Sequence, residues 1–187
     1  VAARGPVGGG AAATDKLDIQ LGDASASAAD LSKLATLSAN VINADSVGTI
    51  SGTAAELKSL LDTHQAGGDI SLGAATVDLS VTSDAANTSP SLSDINTLAT
   101  ELRTESLLAG KITATVHGTV SAADAKDLTT LGTDAITLQL SAEVIADASN
   151  LETIAGKTSE KIDATLATGV KGTGSSVATA LESTDVT

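Results

Sequence analysis

Residues 118–136, GTVSAADAKDLTTLGTDAI, contain most of what the chain repeats. A short β-favouring segment leads to Ser121, whose hydroxyl suits the start of a helix. Leu128 and Leu131 stand three apart, the spacing of one helical face. Gly132 then stops the helix, and Ala135-Ile136 begins another extended stretch. Variants of this block recur. Residues 25–37 (SASAADLSKLATL) and 51–63 (SGTAAELKSLLDT) repeat it nearly whole, and residues 148–156 (ASNLETIAG) and 93–98 (SDINTL) keep its second half. Residues 175–181 (SSVATAL) read as a worn copy.

Apolar pairs set the period: Leu31/Leu34, Leu57/Leu60, Ile95/Leu98, Leu128/Leu131 and Leu151/Ile154. Their first members lie 26, 38, 33 and 23 positions apart, and Val177 follows 26 later. A helix of about two to three turns is too short to stand alone in water, so each must pack against something behind it. Alternating segments supply that partner. Residues 77–81 (VDLSV), 112–116 (ITATV) and 136–140 (ITLQL) read as half-buried strands. Residues 162–170 are a weaker member, and Val41-Ile42 with residues 47–50 fill the same place early in the chain. One strand and one short helix per unit predicts an α/β repeat fold. We expect a solenoid of short strand–helix coils with a parallel β-ladder, about five to six coils long. Pro90, in the loop of residues 83–91 (SDAANTSPS), excludes a central strand there.

Composition agrees with a thin core. The 187 residues include no Phe, Trp, Tyr, Met or Cys, while Leu, Ile and Val total 44. That content suffices for a folded chain, but a thick core without aromatic volume would be hard to fill. The absence of cysteine rules out disulfides and thiolate metal sites. A net charge of −13 disfavours nucleic acid, whose phosphates need clustered Lys and Arg, and equally an anionic membrane surface. No apolar run approaches the length of a membrane span. The chain starts at Val1 rather than Met, as a processed form, a fragment or an incompletely known sequence would.

Residues 1–22 read as a flexible Gly/Ala-rich arm ending in a docking strand, and residues 23–187 as the repeat domain. In the arm, Leu17, Ile19 and Leu21 alternate with polar residues. Such a strand can pair with its own domain or with a neighbour's open edge, which makes these three the candidate assembly residues.

Segments such as GTISGTAAELKSLL, ADASNLETI and SAADAKDLTTL resemble the degenerate repeats of large bacterial cell-surface proteins, best represented in cyanobacteria and other marine bacteria. The resemblance covers roughly residues 24–181. It implies an exported structural, adhesive or surface-layer role, often beside calcium-binding nonapeptide arrays. The nonapeptide itself is missing: Gly67-Gly68-Asp69-Ile70 lacks the second glycine–aspartate step.

Little else points to chemistry. His64 and His117 stand apart from any metal-spaced motif, and no GxSxG elbow is present. Asp78, Asp134, Glu143, Asp147 and Asp163 invite comparison with polysaccharide-cleaving solenoids, but the chain has no aromatic platform for sugar, so no enzyme is expected. Asp69, Asp84 and Asp94 are the candidate ligands for calcium, the one cofactor such acids would take. Rows of threonine able to meet ice or a crystal need equal repeat lengths, which the uneven spacing denies. The expected function is an exported structural protein, extracellular or at the cell surface, with itself as partner and no membrane insertion. It would build a filament or surface layer through end-to-end solenoid and strand-arm contacts. The alternative is a calcium-dependent adhesin repeat cut from a giant cell-surface protein.

Overall fold

Each helix begins at a side chain that can accept a backbone N–H. In the computed structural model, which describes residues 16, 18–65, 69–73, 77–83, 90–104, 110–142, 146–182 and 186, six helices follow this rule. They are α1 (Ala28–Leu37), α2 (Ala54–Gln65), α3 (Leu92–Thr104), α4 (Ala122–Ala125), α5 (Ala148–Ala155) and α6 (Gly174–Glu182). Ser27, Ser121 and Asp147 cap α1, α4 and α5, and Thr173 does the same for α6. Two caps are reciprocal. Glu56 accepts from the N–H of Thr53 while Thr53 accepts from that of Glu56; Ser91 and Asp94 exchange the same pair of bonds. Each such cap stabilises its helix by about 1 kcal/mol.

Among the described residues nine strands are interspersed with them: β1 (Ser25–Ser27), β2 (Ile42–Asn43), β3 (Thr49–Gly52), β4 (Ile70–Ser71), β5 (Asp78–Val81), β6 (Ile112–Val120), β7 (Ala135–Leu140), β8 (Ala146–Asp147) and β9 (Val170–Lys171). Five form one sheet in the order β1-β3-β5-β6-β7, and β2-β4 and β8-β9 form two smaller ladders. All pairings are parallel. Parallel neighbours cannot be joined by a tight hairpin, and in β1-β3-β5 a helix spans each connection, as the strand–helix alternation predicts.

Side chains alternate across the sheet. Ile50, Leu79 and Ile112 fall in one register row and are all buried. They face the buried residues of the helices, Leu31, Leu57, Leu60, Ile95 and Leu98 among them. The core is aliphatic throughout, as the missing aromatics require. On the opposite face Ser27, Ser51, Ser80 and Thr113 form a register row of hydroxyls. The row holds three serines and one threonine, and the uneven spacing is taken up between the strands.

Two expectations are corrected. The opening block does not carry a two-turn helix: α4 ends at Ala125, and of the pair meant to mark its face, Leu128 is buried while Leu131 is 52% exposed. The side chain of Asn96 on α3 takes up the N–H of Thr129 at 2.8 Å, a link to another segment, and Asp134 takes that of Leu131 at 2.7 Å within the turn before β7, so neither N–H serves a helical ladder. Nor is there one strand per unit. Val41-Ile42 and residues 47–50 do not share a place: β2 lies in a ladder separate from β3. A second motif occurs at β2 and again at residues 162–165, where the backbone makes isolated parallel bridges. Ile42-Asn43-Ala44-Asp45 and Ile162-Asp163-Ala164-Thr165 each bury their isoleucine and turn on a side-chain bond, Asp45 N–H to Asn43 Oδ1 at 3.1 Å and Thr165 N–H to Asp163 Oδ1 at 3.0 Å. The chain then bends identically, through Val47 N–H to Ala44 O and Ala167 N–H to Ala164 O.

Candidate functional site

The most highly organised polar group is Asp134, which is fully buried. Its Oδ1 accepts from the N–H of Ile112 at 2.8 Å, and its Oδ2 from the N–H of Leu131 and from the Arg103 guanidinium. Its backbone carbonyl takes the N–H of Ser159 at 2.7 Å. One residue thus ties α3, β6, the turn before β7 and the segment after α5. Thr158 works beside it: its hydroxyl accepts from the N–H of Ile136 and donates to the carbonyl of Ile136, both at 2.9 Å. Here side chains stand in for a missing strand.

The other carboxylates are committed to local structure. Asp78 Oδ1 takes the N–H of Lys111, Asp147 caps α5, and Asp163 is bonded by Gln139 and Thr165; Glu143 lies outside the described residues. Asp94 is spent on the cap of α3, Asp69 is exposed just before β4, and Asp84 lies outside the described residues. No group of three or more His, Asp or Glu able to hold a metal ion occurs among the described residues. His64 Nδ1 meets the carbonyl of Ile70 at 3.2 Å, and His117 is exposed on β6 with its backbone N–H on the carbonyl of Pro90.

Ile19 and Leu21 are half-buried against the core, and the backbone between them pairs with Asn43 of the same chain: Asn43 N–H to Ile19 O and Leu21 N–H to Asn43 O, both 2.9 Å. Asn40 adds a bond to Asp18. Of the two options open to this strand, docking on its own domain is the one observed. Leu17 lies outside the described residues.

Three concavities remain among the described residues, the smallest a cleft of about 160 Å³ that shares Leu151, Ala180 and Val186 with the apolar groove over α5, β9 and α6 and is also lined by Glu152. A notch of about 540 Å³ beside the short α4 is lined by Asn96, Glu101, Asp124 and Asp127. Glu101 Oε1 binds Lys58 at 2.9 Å and Asp124 takes the Ser121 hydroxyl, while Glu101 Oε2 is buried without a hydrogen-bond partner. The second is an apolar groove of about 370 Å³ over α5, β9 and α6, lined by neutral residues alone, among them Leu151, Val170, Val177, Ala180, Leu181 and Val186. No helix of the described residues is long and apolar enough to cross a membrane. Comparison with family models, with curated proteins and with solved structures found no match.

The stacked turns make acid the sensitive direction. The Ser149 hydroxyl and N–H hold the Asp147 carboxyl below its ordinary range, and the Thr165 hydroxyl and N–H, with Gln139, do the same for Asp163. A lowered native value means that the unfolded chain takes up the proton first. The associated stability is therefore present above the ordinary aspartate value of about 4 and is lost as pH falls through the lowered ones. Asp163→Asn should flatten the acid limb of a stability-against-pH curve. An unchanged limb would show that Thr165 and Gln139 do not favour the ionised form.

Proposed function

We propose that the chain is an α/β solenoid of five to six coils and an exported structural protein that assembles with its own copies outside the cell. The observation that carries this reading is strand order. In the main sheet the strands follow chain order with every pairing parallel, as successive turns about one axis would place them, whereas a doubly wound sheet reverses direction part-way. The outer side of β7 is taken up by Asp163, so in such a stack the edges that offer backbone groups to a second copy are β1 and β9. Contact of last with first is heterologous, and when it does not close into a ring it propagates as a filament.

Charge supports the same division of labour. With a net charge of −13, the sides of neighbouring chains repel, which leaves the ends as the faces that meet. A strand-arm contact between chains would require residues 19–21 to leave Asn43, so end-to-end stacking is the primary contact in this reading.

Negative-stain micrographs of the purified chain, with sedimentation across a salt series, test this. Filaments or sheets that grow as salt screens the repulsion are the expected result. A chain that stays monomeric at every salt and protein concentration would sink the proposal. A large rise in melting temperature on adding calcium would favour the adhesin reading instead.

A further inference from the structure

We propose that the neutral groove over α5, β9 and α6 receives the first strand–helix layer of a second copy, with Lys171 of one chain set beside Asp23 of the next. This rests on the solenoid reading above and names its contact.

Charge comes first. In a chain with net charge −13, a concavity lined only by Ala, Leu, Val, Gly and Thr is where two copies approach with least repulsion. The groove also lies beside strand β9, whose only partner among the named strands is β8. It therefore suits an occupant with a parallel edge strand followed by a small aliphatic helix. The first layer of this chain has both. β1 is an edge of the main sheet and runs directly into α1, whose last residue, Leu37, is 51% exposed; Leu181 on α6 is 70% exposed.

Register then selects the pair. At two junctions, α1 to α2 and α5 to α6, the cap residue of one helix lies opposite the residue two places before the next cap, whereas longer connections separate Thr53 from the cap Ser91 and Ser121 from the cap Asp147. Ser27 pairs with Ser51, ahead of the cap Thr53, and Asp147 pairs with Lys171, ahead of the cap Thr173. The same offset carried across the chain end sets Thr173 beside Ser25 of the next copy and Lys171 beside its Asp23. Both are exposed. The row would run Asp147, Lys171, Asp23, alternating in sign.

One adjustment follows. Gln139 bridges Asp163 on one side of the Ile162 segment and Val186 bridges Ile162 on the other, as Gln20 bridges Asn43. Residues 19–21 of an incoming first layer would take the place that Val186 holds beside Ile162, so Val186 must give up its bridge on docking.

Sedimentation of charge-reversed chains tests the register. Lys171→Asp and Asp23→Lys, each alone, should raise the concentration needed for polymers about tenfold or more, the scale of one close charge pair, while their melting temperatures stay near that of the parent. Lys161→Asp, with the same net charge as Lys171→Asp, should assemble normally. An equimolar mixture of the two variants should assemble again, because each end then meets its complement, and deletion of residues 183–187 should assemble at least as well as the full chain. If the parent polymerises but the single reversals polymerise equally, this contact is wrong and the broader assembly reading stands. If the mixture fails to recover, or the deletion abolishes polymers, the layer-on-layer register is overturned. If the parent never polymerises, both proposals fall.

Discussion

Asp134→Ala should cost about 3–5 kcal/mol of folding stability, the usual result of removing one member of a buried ion pair. Three partners lose their acceptor, the N–H groups of Ile112 and Leu131 and the Arg103 guanidinium. The N–H of Ile112, which Asp134 accepts in a buried setting, is left without that partner, and an unmet buried donor costs about 1–3 kcal/mol. The Arg103 guanidinium loses its carboxylate, though at 24% side-chain exposure it can turn to water and recover part of the cost. For a chain of this size each kcal/mol is worth about 2–4 °C in melting temperature. If the chain is the proposed solenoid, the change should also broaden denaturant unfolding, because Asp134 bridges segments on both sides of β6 and cooperativity in a linear array passes only between neighbours. Arg103→Met, made alone and in the Asp134→Ala background, completes a double-mutant cycle; the double variant should lose less than the sum of the two. A loss below about 1 kcal/mol for Asp134→Ala would mean that the clamp is not what holds the middle of the molecule together.

What the sequence disclosed and what it hid divide by distance along the chain. The caps were legible because both partners lie within three residues, as in Thr53 with Glu56 and Ser91 with Asp94. Strands β5, the first half of β6, and β7 were legible because alternation is a local signal. The pair Leu128/Leu131 misled because an i, i+3 spacing says nothing of Asn96, 33 residues from the Thr129 it binds. Ile19 and Leu21 show the same limit: their alternation correctly marks an extended segment, but the choice between its own Asn43 and a neighbour's edge is tertiary. Strands β2 and β4 are two residues each, too short for any alternation. The repeated Ile-Asn/Asp-Ala pattern at residues 42–44 and 162–164 was the signal available for β2 and for the parallel bridges at residues 162–163. The candidate ligand Asp94 sits in a cap, where an acid three residues after a serine satisfies the helix start without any metal.

Gly110→Ala is expected to be about as damaging as any single substitution in the chain, at about 3 kcal/mol or more. A methyl group built at Gly110 would lie 1.8 Å from the carbonyl oxygen of Val77, 2.3 Å from its carbonyl carbon and 2.9 Å from the nitrogen of Asp78. All three are backbone atoms, so no side-chain rotation relieves the overlap, and one strand must move. Overpacking usually costs about 1–3 kcal/mol, and here the shift breaks specific bonds as well. Lys111, the next residue, accepts the N–H of Leu79 at 2.9 Å and gives its own N–H to Asp78 at 2.8 Å. Ile112 beyond it is held by Asp134. Displacing residue 110 therefore loosens the β5–β6 pairing and the buried clamp together. Gly174→Ala is the matched control, because nothing lies within 4 Å of the added carbon and the position opens α6. There alanine should be neutral or stabilising by up to about 1 kcal/mol, through higher helix propensity and a less flexible unfolded chain. Urea midpoints of the two variants give the comparison directly. A Gly110→Ala chain within about 1 kcal/mol of the parent would show that β5 and β6 do not approach each other as closely at this point as their register requires.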